Sequence, residues 1–136
     1  MLNFTSTVRV AYSDTDQMGY VHHNNYVKYF ENARWEMFEQ MGIPYSEIER
    51  KGYMLPVIRM DLKFIKPVLY DELLTIETIL QKISEARLIF RFKAFNEKHI
   101  LVNKAEISLA FIDAKTRIPC IAPEFICEKI AIHRIL

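Results

Sequence analysis

One long helical run followed by a series of strands constrains this chain more than any other feature. From Asn24 to Met41, Tyr26, Val27, Tyr29, Phe30, Ala33, Met37, Phe38 and Met41 recur at helical spacing. Placed at about 100° per residue, they cover about half the circumference of a helix. Lys28, Glu31, Asn32, Glu36 and Glu39 take the other side, and Gly42 followed by Pro44 supplies a stop. An apolar arc that wide exceeds what a surface helix needs. Something must wrap around it.

The rest of the chain provides the wrapping. Val8–Tyr12 alternates weakly and reads as a short strand, and Ser13–Val21 collects loop-forming residues. Leu55–Lys66 alternates, with Ile58, Met60, Leu62 and Phe64 on the face expected to be buried. Leu74–Leu80, Leu88–Ala94 and Ala105–Phe111 follow with the same period of two. Short connections rich in turn residues favour antiparallel pairing, and a short amphipathic tail begins near Pro123. The expected class is α+β, with a long central helix wrapped by a curved antiparallel β-sheet. Such a sheet has edges that are commonly finished by a second subunit, so a homo-oligomer is expected.

Composition removes several function classes. The 136 residues carry a formal net charge of +1, which gives no general field for nucleic acid or an anionic membrane. The three glycines, Gly19, Gly42 and Gly52, are too scattered for a P-loop, a dinucleotide fingerprint or a Gly-x-Ser-x-Gly elbow. Cys120 and Cys127 are too few for a disulfide framework, and neither they nor the histidine spacing supports a metal site. The first residues show no signal-peptide pattern, and no apolar run is long enough to span a bilayer. One domain, 1–136, in the cytoplasm is the expectation.

The chemistry concentrates before the helix. Asp14, Asp16, Gly19, His22 and His23 precede a helix start whose first N–H groups lack intrahelical partners. Those donors and the positive end of the helix dipole suit developing negative charge, and a nearby carboxylate could activate water or attack. The same residues also suit a plain turn and helix cap. Residue type alone leaves both readings open.

The run Arg9 to Tyr26 resembles the signature of the 4-hydroxybenzoyl-CoA thioesterase family, within the hotdog-fold superfamily. Arg9, Val10, Thr15, Asp16, Gly19, Val21, His23 and Tyr26 fall on it. Tyr20 departs, standing where the family usually has Ile or Val. Similarity extends through Phe30–Arg34, Phe64–Pro67, Tyr70–Leu73 and Asp113–Pro119. The resemblance implies a hotdog fold and an acyl-CoA or acyl-ACP thioesterase working as a homodimer or homotetramer. It implies no cofactor beyond the coenzyme A carried by the substrate.

Residue by residue, the resemblance makes Asp16 the general base or nucleophile, with Asp14 left to cap the turn. The His23 main chain would polarise the thioester carbonyl, while Gly19, Tyr20, Val21 and Tyr26 would contact substrate. Arg34, inside the apolar arc, is expected to meet a carboxylate or carbonyls. Arg87, Arg91, Lys93 and Lys98 read as a solvated strand face, and Met54–Val57 as a segment closing a neighbouring subunit's pocket. Two alternatives remain: a hotdog hydratase or dehydratase, disfavoured by Met18 and Val21 where such enzymes carry Asn and His, and a non-catalytic acyl-CoA-binding module.

Overall fold

A computed structural model describes residues 2–84 and 86–135. In chain order the elements are β1 (Leu2–Arg9), a 3₁₀ turn (Tyr12–Asp14), α1 (His23–Gln40), α2 (Tyr45–Arg50), β2 (Tyr53–Met54), β3 (Val57–Phe64), β4 (Leu73–Ser84), β5 (Arg87–Phe95), β6 (Leu101–Ala110), β7 (Ile112–Asp113) and α3 (Glu124–Ile135). Five strands form an antiparallel sheet in the order β1-β4-β5-β6-β3, and β2 pairs with β7. Register shifts interrupt the β3, β4 and β5 ladders, and such irregularities bend a sheet.

The broad apolar arc of α1 lies on the inner face of this sheet. Phe30 stacks on Phe92 of β5 at 4.9 Å between ring centres, and Phe38 meets Phe90 edge-on at 5.8 Å. All four rings are fully buried, each contributing roughly 1.5–3 kcal/mol relative to exposure. The α3 tail closes the core with Ile126 and Ile130. No helix of the described residues is long and apolar enough to cross a membrane.

Three features differ from the sequence-based expectations. The first strand runs Leu2–Arg9 rather than Val8–Tyr12, because Thr5, Ser6 and Thr7 suit an edge strand without showing apolar alternation. The six-residue α2 is too short to leave a helical period in the sequence. The largest difference is β3, which has no buried face: Val57, Ile58, Met60 and Phe64 are exposed and only Leu62 is half-buried. The strand pairs on one side only, with β6, while α1 packs towards β1 and β4 at the far edge. Its inner face therefore overhangs the helix.

Arg34 corrects a fourth expectation. It is buried, yet it makes no ion pair or hydrogen bond among the described residues. Burial lowers the pKa of its guanidinium, and the fields of Glu31 and Tyr45 only partly oppose this.

Candidate active site

The segment between β1 and α1 folds back on itself. Thr15 bridges Val21, the Asp16 N–H donates to the Tyr20 carbonyl at 2.8 Å, and the Gly19 N–H donates to the Asp16 carbonyl at 2.9 Å. Gly19 closes this turn at φ 80, a left-handed conformation that favours glycine. A Cβ added there would meet nothing within 4 Å, so the backbone angle, not crowding, is what demands glycine. The hairpin is zipped to the segment after β3 by a Tyr20–Leu69 bridge and a Val21 N–H to Val68 carbonyl bond of 2.8 Å.

Between these two segments and the start of α1 lies a cavity of about 290 Å³. Asp16, Tyr20, Val21, His23 and Tyr26 line it from the loop and helix, and Phe64, Ile65, Lys66 and Pro67 form the opposite wall. Five of the six residues singled out from the sequence are thus brought together. Gly19 does not line the cavity; it holds the turn that carries Asp16. The opposite wall was not singled out from the sequence as part of the site, although Phe64–Pro67 belongs to the family resemblance. Arg87, Lys98 and Met54–Val57 lie elsewhere, and Arg91 and Lys93 line a separate groove on the sheet.

The polar groups facing this space are unevenly engaged. Asp16 Oδ1 accepts the Met18 N–H at 2.8 Å and the Tyr20 N–H at 3.2 Å, which fixes the carboxylate's orientation. Its Oδ2 has no hydrogen-bond partner among the described residues. His22 is the N-cap of α1, its Nδ1 accepting the Asn24 N–H at 3.2 Å. His23 is consequently the first helical residue, and its N–H has no acceptor among the described residues. The His23 ring meets Phe64 edge-on at 6.5 Å, and Phe64 meets Tyr26 the same way at 5.7 Å. Burial, reinforced by the charge of Glu72, pushes the Tyr26 phenol up to about 12, so it stays protonated at neutral pH.

Asp14 belongs to a different network. It is buried, and Oδ2 accepts the Tyr29 hydroxyl at 2.7 Å and the Ala11 N–H at 3.2 Å, while Lys28 Nζ stands 3.5 Å from Oδ1. Burial pushes its carboxyl up, but Tyr29, Ala11 and Lys28 together outweigh this and hold it below its ordinary value. Its main-chain carbonyl also accepts from the Asn25 side chain at 2.7 Å and the His22 N–H at 2.9 Å. The Asp14 side chain therefore caps the turn, as expected, and additionally ties it to α1.

Asp16, an oriented carboxylate with one oxygen unengaged among the described residues, and His23, whose helix-start N–H has no acceptor among them, therefore border one space. The first can take a proton from water or attack a carbonyl carbon, and the second can receive negative charge building on an oxygen. Such an arrangement suits acyl transfer. A sequence profile of the Thioesterase-like superfamily matches residues 10–130, and the chain belongs to that family as a thioester hydrolase of the hotdog fold. It is 29% identical to the acyl-CoA thioester hydrolase YbgC of Escherichia coli, over 90% of this chain and 92% of that one. It is 31% identical to the acyl-CoA thioesterase YbgC of Helicobacter pylori, over 88% and 94%. The solved DHNA-CoA thioesterase of Staphylococcus aureus superposes with a TM-score of 0.92 at 27% identity, covering 100% of this chain and 93% of that one.

Proposed function

We propose that the chain hydrolyses an acyl-CoA or acyl-carrier-protein thioester to the free acid and thiol, in the cavity between the β1–α1 loop and the segment after β3. The observation that carries this reading is that the Asp16 carboxylate and the His23 end of α1 border the same space. The thioester oxygen accepts the His23 N–H, which stabilises the tetrahedral oxyanion, a contribution of about 3–4 kcal/mol for one such donor in other acyl-transfer sites. Asp16 either takes a proton from the attacking water or attacks the carbonyl carbon itself, giving a mixed anhydride that water then opens. In the first route the carbon–sulfur bond breaks as the tetrahedral intermediate collapses, and the departing sulfur takes the proton that Asp16 drew from water. In the second the thiolate leaves as the anhydride forms and takes a proton from solvent, and water then opens the anhydride and restores the Asp16 carboxylate.

Tyr20, Val21 and Tyr26 shape the acyl side of the cavity, with Gly19 holding the turn behind Asp16. Lys66 at the wall offers positive charge to the phosphate-bearing carrier. The working unit is a homodimer or homotetramer, supported by an edge strand, β3, whose apolar side chains find no cover within one chain. The test is thiol release from short, long, branched and aromatic acyl-CoAs by the wild type and Asp16→Asn. Turnover of at least one thioester, lost in the variant with the fold intact, is expected. Full turnover by Asp16→Asn would overturn the assignment.

A further inference from the structure

Asn103 breaks the pattern of its own strand. It stands on β6 in phase with Ala105, Ile107 and Leu109, on the face that meets α1, and is completely buried. Neither its Oδ1 nor its Nδ2 has a hydrogen-bond partner among the described residues. A carboxamide taken out of water and left unbonded is costly, and native proteins keep few such groups without a use.

Its neighbours indicate what that use is. Across the sheet from Asn103 lie Ala94 on β5 and Phe64 on β3, and Ala105 follows on its own strand. Directly paired residues point to the same side of a sheet, so Phe64 shares the amide's face. Phe64 also lines the cavity, where ring-edge contacts to Tyr26 and His23 hold it. The small side chains of Ala94 and Ala105 put no bulk beside the amide. Phe64 is thus the residue that the cavity wall and the buried amide have in common. Tyr26, facing Phe64 across the cavity, carries a hydroxyl with no hydrogen-bond partner among the described residues.

We propose that Asn103 is a specificity-determining residue of the acyl pocket, selecting acyl groups that carry a hydroxyl or carbonyl on their distal part. Such a group displaces the Phe64 ring and bonds the carboxamide. A plain hydrocarbon acyl group of the same shape leaves the amide unbonded and is turned over less well. This inference rests on the cavity being the thioester site.

The experiment compares the wild type with Asn103→Leu, close in shape but unable to hydrogen-bond. Two probe pairs are used: 4-hydroxybenzoyl-CoA against benzoyl-CoA, and 6-hydroxyhexanoyl-CoA against hexanoyl-CoA. The wild type is expected to prefer the hydroxylated member of at least one pair by about 10-fold or more in kcat/KM. Asn103→Leu brings that ratio close to one, keeps turnover of the plain member, and melts at a higher temperature. No wild-type preference in either pair overturns the proposal, as does an unchanged ratio or an equal loss on both members in the variant. Should Asn103→Leu fail to fold, Asn103→Ala is read by the same ratio. Binding of the four acyl groups as non-hydrolysable thioethers separates the two readings. A preference that disappears with Asn103 where no thioester is cleaved keeps the pocket and rejects the hydrolase. Cleavage without preference rejects this inference alone.

Discussion

Two aspartates share the loop between β1 and α1, two residues apart, and their carboxylates end in different surroundings. Both oxygens of Asp14 face protein donors, from Ala11, Tyr29 and Lys28, inside the core boundary. Asp16 gives one oxygen to the turn and leaves the other towards a cavity. Charge and residue type are identical, so the difference is one of saturation. A carboxylate whose oxygens are all taken holds structure, whereas one with an oxygen to spare is available for chemistry.

The contrast breaks if activity follows the wrong aspartate. Asp16→Asn should lower thiol release by about 10³-fold or more while the thermal midpoint barely moves, because the amide oxygen can still accept the Met18 and Tyr20 N–H groups. Loss of turnover in Asp14→Asn but not Asp16→Asn, both folded, would reverse the roles. Next in size is His23→Pro. Proline is favoured at the first helical position, and His22, at φ -66 and ψ 139, already has the conformation a following proline requires. The substitution deletes the N–H and spares the helix, so kcat should fall by about 10²–10³-fold. His23→Ala, which keeps the amide, should fall far less in the same assay.

Smaller effects sharpen the structural half of the comparison. Tyr29→Phe strips a buried carboxylate of its shortest hydrogen bond and should cost about 1–3 kcal/mol in urea unfolding, with cleavage by the folded fraction intact. Stability should also depend on pH through Asp14. Its folded pKa lies below the ordinary 3.8, so the native state binds the proton more weakly than the unfolded chain. The contribution is complete above the unfolded value and is lost as pH falls through the folded one. Asp14→Asn should flatten that acid limb in melts recorded from neutral to acid pH. Least of all, Lys28→Ala, whose ammonium is well exposed, should cost at most a few tenths of a kcal/mol.

Long periodic segments were legible in the sequence. The α1 arc and the alternation of β5 and β6 specify a helix laid on a sheet, and the structure has that arrangement. Shorter or marginal pieces were not: α2 spans under two turns, and the polar β1 hides its strand character in Thr and Ser. β3 has a perfect alternation that describes a face needing cover without saying which molecule provides it. At the site, Asp14 and Asp16 are indistinguishable by residue type, and only the family signature chose between them. The two histidines attract notice for their rings, yet the geometry makes one a cap through Nδ1 and leaves the main-chain N–H of the other without an acceptor among the described residues. Asn103 could have been noticed as the polar member of an apolar phase, but its missing partners become visible only in three dimensions.

The open rim at β3 ties the health of the molecule to its abundance. A strand with an unpaired backbone side and exposed Val57, Ile58, Met60 and Phe64 is adhesive until another surface meets it. In the proposed homo-oligomer a second copy covers that surface and dilution lays it bare, so stock solutions should age faster when thin than when concentrated.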